Sequence, residues 1–221
     1  MIEIKKVSKT IQGTQVLCDI EASLPSGRVT GFSGINGSGK TMLMRVLAGL
    51  IRPSSGEVLI SGKALWKDIS FPESIGFLIE GPAFIGSYTG LENLMMIASI
   101  KKKAGMAQVR QAIERVGLDP DDKRRYRKYS LGMKQRLGIA LAVMEAPDIV
   151  LLDEPTNALD ADGVALLEGI VREERARGAA VVLSCHDHEV LERLSDSIYY
   201  LQAGRVVRKA EGGAGDAAKE A

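Results

Sequence analysis

The hydrophobic pattern changes period along this chain, and the changes mark its elements. Ile2 to Val7 alternates apolar and polar residues, and Val16 to Leu24 reads as a second strand after a turn at Gln12-Gly13-Thr14. Pro25-Ser26-Gly27 turns the chain into a short β-rich stretch, Arg28 to Ser33. Met42, Leu43, Val46, Leu47 and Leu50 then recur at helical spacing. After the break at Arg52 to Gly56, Glu57 to Ile60 resumes as a strand. Ser74 to Ile79 reads as a buried strand ending in the loop signal Glu80-Gly81-Pro82.

From about Thr89 to Gly117 the period is helical. Leu91, Leu94, Met95 and Ala98 share one face, and Val109, Ile113 and Val116 another. Ser130 is placed to cap a helix running to about Glu145. Ile149 to Leu152 and Ala179 to Ser184 are apolar runs that predict fully buried strands. Between them Leu159, Leu166, Leu167, Ile170 and Val171 form a helix stripe. Ser197 to Leu201 and Arg205 to Arg208 predict a hairpin across Ala203-Gly204. Residues from about Glu211 onward lack bulk and period, so a frayed tail is expected over 211–221.

Buried strands alternating with amphipathic helices predict an α/β fold: a mostly parallel sheet covered on both faces. The early alternating strands predict an antiparallel β subdomain beside it, and the stretch from about 84 to 145 an inserted α-helical lobe. The expected organisation is one unit over 1–210.

Gly34-Ile35-Asn36-Gly37-Ser38-Gly39-Lys40-Thr41 fits the phosphate-loop pattern G-x-x-x-x-G-K-[ST] at every fixed position. It stands between a strand and a helix, as that motif requires. Backbone N–H groups of Gly34, Asn36, Gly37, Ser38, Gly39 and Met42 are expected to cradle phosphate, helped by the helix N-terminus. Lys40 would reach the outer phosphates, and the Thr41 hydroxyl would ligate Mg²⁺. A Gly-rich turn that binds nothing would not need the full pattern in this context. Leu151-Leu152-Asp153-Glu154 is an apolar strand ending in paired acids: Asp153 can hold Mg²⁺, and Glu154 can take a proton from an attacking water. Lys40, Glu80, Asp153, Glu154 and His186 all follow strand ends, where nucleotide sites of parallel sheets lie.

The net charge of +1 gives no global field for nucleic acid or a membrane surface, and Lys123 to Lys128, with one aromatic in it, reads as a solvated linker. Cys18 and Cys185 suggest neither a disulfide framework nor a zinc site. No stretch approaches a membrane span, so a cytoplasmic protein is expected, with any membrane role in a separate subunit.

The phosphate loop, Tyr129-Ser-Leu-Gly-Met-Lys-Gln-Arg136, Leu152-Asp-Glu-Pro-Thr-Asn-Ala-Leu-Asp160 and Ser184-Cys-His186 occur in the order seen in nucleotide-binding domains of ABC transporters. The chain resembles that family over residues 1–208. The resemblance implies ATP as substrate with Mg²⁺, Glu154 as catalytic base, and His186 as the switch histidine at the γ-phosphate. It implies that Ser130 and Gly132 contact ATP held by an opposite subunit, and that Ala158-Leu159-Asp160 crosses the interface. The implied partners are a second cassette, identical or paralogous, and a membrane-embedded permease that would hold this chain at the inner face of the membrane.

Three positions depart from the family pattern. Leu131 replaces a signature glycine, Ile11 stands where an aromatic stacks on adenine, and Glu80 stands where glutamine is usual, its carboxylate still expected to ligate Mg²⁺ alongside Thr41 and Asp153. Glu80-Gly-Pro-Ala-Phe84 with Leu91-Glu-Asn-Leu94 resembles ATPases of bacitracin-resistance and lantibiotic-immunity exporters, which implies peptide or amphipathic cargo. The surface from about Phe84 to Leu94 is the expected permease contact. Alternatives are a soluble ABC-type ATPase of translation or DNA repair, a non-hydrolysing regulatory subunit, and another phosphate-loop class such as a kinase or GTPase.

Overall fold

A computed structural model of the chain describes residues 1–185 and 187–215. The strands are β1 (Ile2–Ile11), β2 (Thr14–Leu24), β3 (Val29–Ser33), β4 (Ser55–Ile60), β5 (Lys63–Ala64), β6 (Ile75–Leu78), β7 (Ile149–Asp153), β8 (Ala180–Ser184), β9 (Ser197–Gln202) and β10 (Arg205–Glu211). The helices are α1 (Lys40–Leu47), α2 (Gly90–Lys101), α3 (Met106–Arg115), α4 (Leu131–Val143), α5 (Ala161–Ala176) and α6 (His188–Leu194).

Two sheets form. One is antiparallel with order β2-β1-β4-β5; the other has order β10-β9-β3-β8-β7-β6 and is parallel from β9 through β6. Consecutive apolar residues of β7 serve opposite faces. Leu151 packs with Leu43, Val46 and Phe32 on the α1 side, while Val150 and Leu152 pack with Leu137, Ile139 and Leu167 on the other. That is why the strand is apolar without alternation. Phe32 stacks on Tyr199 at 5.5 Å between centroids, and the Tyr199 hydroxyl accepts the Ser23 N–H at 3.2 Å, tying the sheets together.

The alternation of β1 is re-phased midway. Ile2 and Ile4 are buried, Lys6 takes φ +47, and after this irregularity Val7 is the next buried residue.

Several sequence expectations are corrected. The strand at Ile75 is the sheet's edge rather than its interior: Leu78 is buried, but Phe77 is 39% exposed. Leu50 lies beyond the end of α1 and is half exposed. Leu159 precedes α5, and Leu166 turns outward from it, so only Leu167, Ile170 and Val171 form the buried stripe. The chain does not fray at Glu211 itself, and residues 216–221 of the expected tail lie outside the described residues. Gly212 N–H donates to Asp196 O, Ala214 N–H donates to Ser195 O, and Ala214 is buried. Tyr126 of the basic run is buried and donates its hydroxyl to Pro82 O. Helices α2, α3 and α4 lie between β6 and β7 in the chain, and among the described residues no helix is long and apolar enough to cross a membrane.

Candidate functional site

The phosphate loop leaves β3 at Ser33 and enters α1 at Lys40. Gly39 makes the turn possible: its φ is +108, and a Cβ there would sit 3.0 Å from the Val16 carbonyl oxygen. Gly204 N–H donates to Ser38 O, so the β9–β10 turn braces the loop. Lys40 is buried; its ammonium donates to Gly34 O at 2.6 Å and to Ile35 O at 3.4 Å.

Around that ammonium the strand ends converge. Glu154 Oε1 lies 3.6 Å from Lys40 Nζ. Thr41 Oγ1 donates to Asp153 Oδ2 at 2.7 Å, and Ser184 Oγ donates to Asp153 Oδ1. Asp153 and Ser184 are register partners at the ends of parallel strands β7 and β8, which fixes the carboxylate over the start of α1. Glu154 takes φ +50 as its N–H donates to Ser184 O at 2.9 Å, so the backbone turns sharply at the end of β7.

These residues fit a nucleotide. The Ser38 hydroxyl oxygen is buried with no hydrogen-bond partner among the described residues, and Lys40 offers an ammonium to the loop's interior. Donors left over in a curled loop at a helix N-terminus suit phosphate oxygens. The Thr41 and Asp153 oxygens are hard ligands of the kind Mg²⁺ takes.

Ser130 and Gly132 are not part of this group. Ser130 caps α4, its Oγ accepting the Met133 N–H at 3.2 Å, and Leu131 beside it is 73% exposed. They line a cleft of about 820 Å³ with Arg124, Arg136, Ala158 and Asp160, none of them residues of the phosphate loop. A Cβ on Gly132 would lie 2.8 Å from Ala158 O, so the glycine lets α4 approach that loop. Two side chains bind the cleft to the acid loop. Gln135 Nε2 donates to Glu154 O and Pro155 O, each at 3.2 Å, and Arg136 donates to Asp160 Oδ1 at 2.5 Å. Asp160 also accepts the Gly163 N–H; that bond and the Arg136 guanidinium hold its carboxyl below the usual range.

Ile11 ends β1 opposite Thr14 and is 37% exposed, while Met42 packs partly into the core and Asn36 is exposed. Glu80 pairs with Arg45 at 2.6 Å, not with Thr41 or Asp153. His186 lies outside the described residues. Sequence reasoning missed Ser184, Gln135 and Arg45 as supports; only the serine left a signal, as the last residue of an apolar strand opposite an acid.

The ABC transporter family model matches residues 17–157. The chain belongs to the ABC transporter family. It is 44% identical over 206 residues to the ABC transporter ATP-binding protein YybJ of Bacillus subtilis, covering 93% of this chain and 94% of that one. It is 33% identical to the bacitracin transport ATP-binding protein BcrA of Enterococcus faecalis, covering 95% of this chain and 68% of the relative. It is 30% identical to the lantibiotic transport ATP-binding protein SrtF of Streptococcus pyogenes, covering 96% and 91%. Among solved structures, a dimeric bacterial ABC transporter cassette superposes with a TM-score of 0.86 at 26% identity, covering 96% of this chain and 98% of that one. A dimeric post-hydrolysis cassette bound to ADP and Pi superposes at 0.85, also at 26% identity, covering 96% and 98%. This ABC protein is therefore an ATP-binding subunit and an ATPase. The rival kinase and GTPase readings fall with the family.

Proposed function

We propose that this subunit powers export of a peptide or similar amphipathic compound through a separate membrane-embedded permease, working as a pair of cassettes. The observation that carries the mechanism is the convergence of Lys40, Thr41, Asp153 and Glu154 at the strand ends, with Ser130 and Gly132 apart in their own cleft. A site divided in this way is completed by a second subunit that presents its α4 N-terminus to the nucleotide. The cargo class rests on likeness to BcrA and SrtF, whose names are those of bacitracin and lantibiotic transport proteins.

In this reading Lys40 and the loop N–H groups bind the phosphates. Thr41 and Asp153 would hold Mg²⁺, which would neutralise phosphate charge, and the Ser184 hydroxyl orients Asp153 by donating to its Oδ1. Glu154 accepts the proton of the attacking water. His186 acts at the γ-phosphate, and Ile11 borders the adenine. Phe84 is partly buried and packs edge-on against Tyr126 at 5.2 Å, which fixes it at the base of the proposed permease contact. The exposed apolar residues of that segment are Ile85 and Tyr88, and they form the proposed contact.

The test compares wild type with Glu154→Gln by gel filtration with Mg-ATP, alongside phosphate release. The variant is expected to stop hydrolysing and to elute as a stable ATP-dependent dimer. Unchanged turnover with a monomeric profile would remove Glu154 as base and the paired-cassette reading with it.

A further inference from the structure

Glu80 is held in an unusual way. It follows β6, and Gly81 N–H donates to Ile79 O at 3.1 Å across it. Glu80 itself has φ +64, so this is a three-residue turn of the rare positive-φ kind, unfavourable for a residue with a side chain. Its carboxylate meets Arg45 Nη2 at 2.6 Å, and among the described residues it has no other hydrogen-bond or ion-pair partner. Arg45 lies on α1 four residues after Thr41, hence on the same face and about one 5.4 Å turn farther along. The loop beyond Glu80 is tied to the helical lobe: Tyr126 Oη donates to Pro82 O at 2.8 Å, and Asn93 brackets Ile85 through its N–H and its carbonyl.

We propose that Arg45 is a positioning residue for Glu80. It holds the carboxylate on a guanidinium whose residue lies one helical turn beyond Thr41, so Glu80 reaches a divalent cation at the Thr41–Asp153 pair only by leaving the guanidinium. The proposal rests on reading that pair as the cation site. A glutamine, usual in the family at this place, is neutral and would need no such partner. A carboxylate would otherwise add a full negative charge beside the phosphates and bind the cation outright. Arg45 therefore turns Glu80 into a competed ligand.

The experiment titrates the protein with Mn²⁺ in the presence of the non-hydrolysable analogue AMP-PNP, with free Mn²⁺ read by electron paramagnetic resonance. Arg45→Met should tighten Mn²⁺ binding, and the tightening should be about two- to fivefold greater with Glu80 intact than in the Glu80→Gln background, the scale of a partly exposed ion pair. Arg45→Lys should restore most of the wild-type affinity. Equal shifts in the two backgrounds would mean that Arg45 acts only as a nearby positive charge and overturn the proposal, as would no shift in either. Thr41→Val and Asp153→Asn separate the underlying reading: if neither weakens Mn²⁺ binding while AMP-PNP still binds, the cation site is misplaced and the proposal falls with it.

Discussion

The ammonium of Lys40 lies 3.6 Å from Glu154 Oε1, so the lysine of the phosphate loop and the acid after β7 share one largely buried spot. Each therefore senses the other's charge in a region of reduced dielectric. Removing the lysine with Lys40→Met should lower ATP hydrolysis by about 10²–10³-fold, the scale for losing one preorganised cationic contact. Nucleotide binding should weaken with it. Phosphate release and equilibrium binding on the folded variant check this; turnover within tenfold of wild type would show that Lys40 is not at the reacting phosphates.

Asp196 is 2% exposed, and its carboxylate accepts from Arg175 Nη2 at 2.5 Å and from Val29 N–H at 2.8 Å. Arg175→Met should strand that charge beside β3. Arg175 is itself a quarter exposed, which places the cost near the low end for a broken buried pair, about 3 kcal/mol. Chemical denaturation should show the loss, and Asp196→Asn should cost less. A neutral Arg175→Met would mean that water already serves the carboxylate.

Gly76 sets the spacing between edge strand β6 and helix α4. A Cβ there would fall 1.7 Å from the Ala142 carbonyl oxygen, a backbone atom that cannot swing aside. Gly76→Ala should destabilise the protein by roughly 3 kcal/mol or more, at the upper end of overpacking costs. Since α4 also carries Ser130 and Gly132, ATP-dependent pairing should weaken in the variant more than nucleotide binding to the phosphate loop. Wild-type melting and pairing would refute the assigned spacing.

The start of α2 should titrate. Glu92 accepts the Thr89 N–H at 2.6 Å while its own N–H donates to Thr89 Oγ1 at 3.2 Å. The Thr89 backbone bond is the main cause of a Glu92 pKa below its ordinary 4.5, with the Arg125 guanidinium adding to it. A folded-state pKa below the unfolded one gives stability that is present above the unfolded value and lost as pH falls through the folded value. The stability gap between wild type and Glu92→Gln should therefore narrow on acidification past that range. Denaturation curves across pH check it, and a gap independent of pH would reject the carboxylate's part in the cap.

Local chemistry is legible in the sequence alone. The phosphate loop, its flanking strand and helix, the paired acids after β7 and the serine cap of α4 are each specified within a few consecutive residues, because turn conformations, caps and period are short-range properties. The same holds for the buried strands β7 and β8, whose unbroken apolar runs announce burial on both faces. What was misread depends on neighbours far along the chain. Nothing in Ile75 to Leu78 says that β6 is an edge, because that follows from which strands pair, and Phe77 is left uncovered for that reason. The segment at 212–215 has no bulk to signal packing, yet it docks because Ser195 and Asp196 present carbonyls to it.

The sequence by itself determined the family, the α/β class and the residue types able to bind phosphate and a divalent cation. Only the tertiary structure decided their pairings: Thr41 with Asp153 across 112 positions, Ser184 with Asp153 across 31, and Arg45 with Glu80. Motifs are written in consecutive residues, whereas hydrogen bonds and ion pairs act over a few ångströms of space, and strand order is what brings distant residues within that reach.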